Sequence, residues 1–87
     1  SNLTHKQQMV LLDQLDFLNA TIFKELTIEG KATILGNLLN RNIQETRELL
    51  TYYNDPKGTH KKFSNTSENN KKVTIMLKQN GLTLTDK

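Results

Sequence analysis

Residues 35–50, LGNLLNRNIQETRELL, decide the fold. Leu35, Leu38 and Leu39 close one apolar stripe at helical spacing, the polar triplet Asn40-Arg41-Asn42 interrupts it, and Ile43, Leu49 and Leu50 resume it. The stretch therefore reads as one helix that stops, turns within the triplet and gives way to another. Asn tolerates a left-handed backbone better than other side-chain-bearing residues, so Asn40 can end the first helix. Asn42 can cap the second, with Glu45 reaching back to its amide as in a capping box. Gly36, before the corner, costs a helix about 1 kcal/mol against Ala and is expected where the two helices lean together.

The succession Gly36, Asn40, Thr46, Leu49 resembles the small, turn, apolar, apolar rhythm of DNA-binding helix-turn-helix units. Thr46 stands where that pattern prefers Val or Ile, and Asn40 where it prefers Gly.

Outward from the corner, the periodicity predicts an all-α domain of four helices, over about 4–19, 27–40, 43–54 and 66–80. Thr4 is the expected cap of the first, whose stripe runs through Leu11, Leu15 and Leu18 and is widened by Val10, Leu12 and Phe17. Asn19 to Leu26 reads as a connector whose Ile22 and Phe23 plug into the core. Thr27 caps the second helix, which carries Ile28, Ala32, Leu35 and Leu39 on one face with Ile34 and Leu38 beside it. The third buries Ile43, Leu49, Leu50 and one face of Tyr53, leaving Gln44, Arg47, Glu48 and Thr51 toward solvent.

Pro56 is the strongest stop, and Asp55-Pro56-Lys57-Gly58 reads as a type I turn. A basic loop follows, with Lys57, His60, Lys61 and Lys62, closed by Phe63 as an expected core anchor. Asn65 with Glu68 offers a second capping box for a last helix ending at Gly81, and residues 83–87 read as a frayed tail.

Composition narrows the function. With 87 residues and no Cys, the chain is one small domain without disulfides, thiol nucleophiles or Cys-based metal sites; this fits a reducing compartment, and the cytoplasm is the expected location. No apolar run approaches a membrane span. Ser1 and Asn2 read as the remnant of a cleaved tag on a domain taken from a longer protein. The net charge of +3 is unevenly placed: residues 1–55 hold five Lys or Arg against seven Asp or Glu, and residues 56–87 hold seven against two. An anionic partner should meet the C-terminal third first.

His5 and His60, the two histidines, read as surface residues without metal-ligand spacing, and no phosphate loop, nucleophile elbow or dinucleotide fingerprint is present. The expectation is a non-enzyme without cofactor, metal or small-molecule substrate. Double-stranded DNA is the favoured partner, with Gln44, Arg47 and Thr51 facing bases and Arg41, Asn42, Lys57, Lys61, Lys62 and Lys71 holding phosphates. Lys72, adjacent to Lys71, splays about 100° away on a helix. Glu45 and Glu48 lie on or beside the reading face and oppose a phosphate backbone. The alternative is a protein-interaction or oligomerisation domain of a larger bacterial protein, with a protein partner or a second copy of itself.

The order of features from Gln8 to Leu77 resembles the C-terminal region of RteC-type regulators carried on bacterial conjugative elements. The resemblance runs through QQMVLLDQLDFL, through GKATILGNLLNRN into IQETRELLTYY, and through the linker ending Thr59-His60-Lys61-Lys62-Phe63 before a Lys-bearing last helix. It implies an all-helical or winged-helix-like DNA-binding module acting as a transcriptional regulator of a mobile element. The sequence contains no hairpin to make a wing.

Overall fold

A computed structural model describes residues 2–83. Its described residues form α-helices and one 3-10 turn, without a β-strand: α1 (His5–Gln14), the 3-10 turn (Phe17–Asn19), α2 (Thr21–Glu25), α3 (Ile28–Leu39), α4 (Ile43–Thr51) and α5 (Ser67–Gln79). The fold is all-α as expected, with five helices where four were predicted. The expected tag remnant at Ser1 and all of the frayed tail beyond Thr83 lie outside the described residues.

The fifth helix comes from a break. Asp16 adopts φ 67°, ψ 16°, a left-handed conformation that no helix interior accepts, so α1 ends at Gln14 rather than near Asn19. The chain turns through Phe17–Asn19 and forms the short α2 where an irregular connector was expected. Of the two residues expected to plug the core, Phe23 does and Ile22 is 80% exposed. Of the stripe expected through Leu11, Leu15 and Leu18, Leu11 and Leu18 pack against the core, each half-buried, and Leu15 is lost from it at the break. Leu15 is exposed, and Met9, Val10 and Leu12 are the apolar α1 residues that bury, with Gln7 buried beside them.

Caps fix the other boundaries. Thr4 and Gln7 close a reciprocal capping box on α1, and Thr27 accepts from the Gly30 N–H at α3. At α5 the cap is Thr66, not the predicted Asn65; it accepts from Asn69 N–H, while Asn65 accepts from the side chain of Asn70. Gly81, at φ 110°, stops α5, and the Leu82 N–H returns to the Leu77 carbonyl at 3.0 Å.

Every helix supplies the core: Met9, Val10 and Leu12 from α1, Phe23 from α2, Leu35 from α3, Leu49 from α4, Tyr53 just after it, and Val73 from α5. α3 and α4 pack on each other most extensively; α1 lies against α5 and also meets α4. The Tyr53 hydroxyl donates to Asp13 Oδ2 at 2.8 Å, tying the end of α4 to α1. Burial first, and then this bond to a carboxylate, raises the Tyr53 ionisation well above the ordinary phenol range. Ile34 and Leu38, expected beside the buried face of α3, are 46% and 59% exposed. Ile43, expected to be buried by the third helix, is 44% exposed. Phe63 does not join the core: it is half-buried, and its ring covers Gly58.

Candidate nucleic-acid interface

The corner between α3 and α4 has the local geometry its residues dictate. Asn40 is left-handed at φ 57°, ψ 48°, and the N–H groups of Asn40 and Arg41 both reach the Gly36 carbonyl. Asn42 Oδ1 accepts the Glu45 N–H at 2.8 Å. The expected return contact from Glu45 is replaced by one to Lys62, so only half of the capping box forms. A Cβ on Gly36 would lie 2.8 Å from Ile43 Cγ1 and 3.2 Å from the Arg41 carbonyl oxygen, so α4 can begin this close only because residue 36 has no side chain.

Thr46, where a helix-turn-helix pattern prefers Val or Ile, is fully buried and donates to the Asn42 carbonyl at 2.8 Å. That leaves its oxygen to accept from His5 Nε2, 3.0 Å away. His5 is thus a half-buried strut between α1 and α4 rather than the plain surface residue expected. Its pKa is lowered, first by burial and then by the Arg41 charge, which favours the neutral ring.

The basic loop folds back onto the exposed side of α4. Gly58 N–H bonds the Asp55 carbonyl at 3.1 Å, closing the predicted turn, and Gly58 takes φ 63°. Asp55 Oδ2 then accepts from the N–H groups of Thr59 and His60 at 3.0 and 3.1 Å. These bonds, that from His60 foremost, hold the Asp55 carboxyl below its ordinary pKa. His60 stacks on Tyr52, so it too is engaged in the fold.

The result is a shallow groove of about 310 Å³ lined by Gln44, Arg47, Glu48, Thr51, Tyr52, His60, Lys61 and Lys62. All three residues predicted to face bases lie in it, with two of those predicted to hold phosphates. Lys62 Nζ is 3.3 Å from Glu45 and 3.2 Å from Glu48, and these two carboxylates, Glu48 first, raise its pKa. Arg47 Nη2 meets Glu29 Oε2 of α3 at 3.3 Å, an exposed pair open to exchange. Thr51 Oγ1 donates to the Arg47 carbonyl, which leaves its methyl as the free end.

The remaining predicted contacts are dispersed. Arg41 donates from Nε to Gln8 and from Nη2 to the Leu3 carbonyl, both at 2.9 Å, so two of its donors hold the start of the chain against the corner. Asn42 uses its side-chain oxygen as a cap. Lys57 is exposed in the Pro turn and Lys71 is exposed on α5; neither lines the groove. Sequence reasoning missed Tyr52 and His60 as parts of the site because a stack across eight residues of irregular chain leaves no periodic signal. The complementarity of Lys62 with Glu45 and Glu48 was the one available clue. Among the described residues no helix is long and apolar enough to cross a membrane. No family model, curated protein or solved structure matches the chain.

Proposed function

We propose that this domain is a DNA-binding regulatory module, without catalytic activity of its own, that docks on double-stranded DNA through the outer face of α4. The carrying observation is the groove in which Gln44, Arg47 and Thr51 stand beside Lys61 and Lys62. Arg suits the paired acceptors of guanine, Gln those of adenine with its amine, and the Thr51 methyl suits that of thymine. Lys62 reduces the objection raised by two acidic residues on this helix, since its one ammonium bridges Glu45 and Glu48, offsets half of their charge and leaves Lys61 and Lys57 for phosphates. The tight α3–α4 corner supports assignment as a helix-turn-helix. The same reading agrees with the resemblance to RteC-type regulators, and with transcriptional control of a mobile element in the cytoplasm.

Fluorescence anisotropy with a mixed-sequence duplex at about 50 and about 200 mM salt tests it, because phosphate contacts make affinity fall steeply with salt. Lys61→Glu is expected to weaken binding and lower the salt slope by at least about 1. Arg47→Ala is expected to lose about 1–3 kcal/mol of discrimination at one guanine. Absence of binding at the lower salt, or a Lys61→Glu variant that binds as wild type, rejects the proposal.

A second reading, docking to a protein or a second copy, has one observation in its favour: Ile34 and Leu38 stand exposed one turn apart on α3. Light scattering after size exclusion checks it. A dimer lost in Ile34→Lys with Leu38→Lys supports this reading, and a monomer in wild type and variant alike counts against self-association.

A further inference from the structure

Beyond α4 the chain is pinned back onto the helix by a ring. The His60 and Tyr52 centroids are 3.6 Å apart and their planes 7° from parallel. The same imidazole accepts the Lys62 N–H on Nδ1 at 3.0 Å, closing a turn that an Asn or Asp side chain ordinarily closes. Asp55 holds the Thr59 and His60 amides from one side, and Lys6 Nζ donates to the Lys61 carbonyl at 2.6 Å from the other. All these contacts fix the backbone around Lys61, and none uses its ammonium. Lys62 has its charge committed to Glu45 and Glu48, so Lys61 is the loop cation left at the groove.

We infer that His60, through its stack on Tyr52 and its bond to Lys62, is a positioning residue of the DNA interface that places the Lys61 charge beside Gln44 and Arg47. This rests on the DNA reading of the groove. The physical reason is ordering cost: a lysine on an untethered loop must lose backbone freedom when it meets a phosphate, whereas one on a pinned loop has lost it on folding. The two halves of the pin are separable. Asn at position 60 keeps an acceptor where Nδ1 lies but has no ring, and Phe keeps a ring without the acceptor.

The test measures duplex binding by anisotropy across a salt series for wild type, His60→Ala, Lys61→Ala, the double variant, His60→Asn and His60→Phe. Circular dichroism melts confirm that each is folded. His60→Ala is expected to weaken binding about tenfold and lower the salt slope by about 1, as loss of one phosphate contact does. Lys61→Ala is then expected to cost less than about threefold more in the His60→Ala background, because residues that act through one another are not additive. His60→Asn and His60→Phe should each recover part of the loss, and they carry the comparison should His60→Ala unfold. Wild-type affinity in His60→Ala, full additivity with Lys61→Ala, or Asn and Phe variants no better than Ala overturns the positioning role and leaves the DNA reading standing. Wild-type protein that fails to bind duplex at low salt overturns both.

Discussion

Single residues set the tolerances of the corner. At Gly36 two effects oppose each other: Ala would favour the helix by about 1 kcal/mol, while forcing a methyl into a filled site costs about 1–3 kcal/mol. The nearest atoms are Ile43 Cγ1 and the Arg41 carbonyl oxygen, and backbone does not yield as a flexible side chain does. Gly36→Ala is therefore expected to lose about 1–2 kcal/mol in urea denaturation. A variant as stable as wild type would mean that α3 and α4 do not approach this closely. Asp55 governs the loop in the same local way. Its carboxyl ionises more readily folded than unfolded, so its contribution is present at neutral pH and disappears as pH falls through the folded-state value, below the ordinary 3.8. Asp55→Asn should lie below wild type in stability at pH 7 and converge on it once the pH has fallen below the folded-state value. Parallel curves across that range would remove the carboxylate from the account. Glu29 is also held below its ordinary value, first by its own backbone N–H and then by Arg47, and the difference between the two proteins cancels it.

Elements were legible where their signals are local. The α3–α4 corner could be read because left-handed tolerance at Asn40 and a cap at Asn42 are properties of those residues, and both conformations are observed. The end of α1 could not, because nothing in the residue type obliges Asp16 to leave the helix. Its break goes with tertiary packing, in which Phe17 and Phe23 meet with ring centroids 5.2 Å apart. Leu15 and Leu18 continue the helical spacing past that point although the helix has ended at Gln14. Asp16 offers a direct check: Gly relieves a left-handed position and Ala does not, so Asp16→Gly should be more stable than Asp16→Ala by about 1 kcal/mol. The reverse order is what an unbroken helix would produce. For the candidate site, the outward residues of α4 were legible from helical spacing alone. The loop that covers their edge was not, since a lysine finding glutamates fourteen and seventeen residues away depends on where the Pro turn sends the chain.

The whole molecule has one core to which every helix contributes, and a radius of gyration of 12.8 Å against about 12 Å expected for its length. Unfolding should be all-or-none. Tyr53, bonded to Asp13, reports on the junction of α4 with α1 once the second tyrosine is removed, so in a Tyr52→Phe variant the tyrosine fluorescence change on heating should coincide with loss of helical circular dichroism. A fluorescence transition that precedes the helical one would make α3–α4 a separate unit. Lys62 belongs to this scale as well. The electric potential over α4 depends on an ammonium group borrowed from another segment, so it is a tertiary property and not one written in the nine residues of the helix. Spacer length between Pro56 and Lys62 thereby becomes a dial: splicing in extra glycines would withdraw the borrowed cation and turn the helix anionic with none of its own side chains altered.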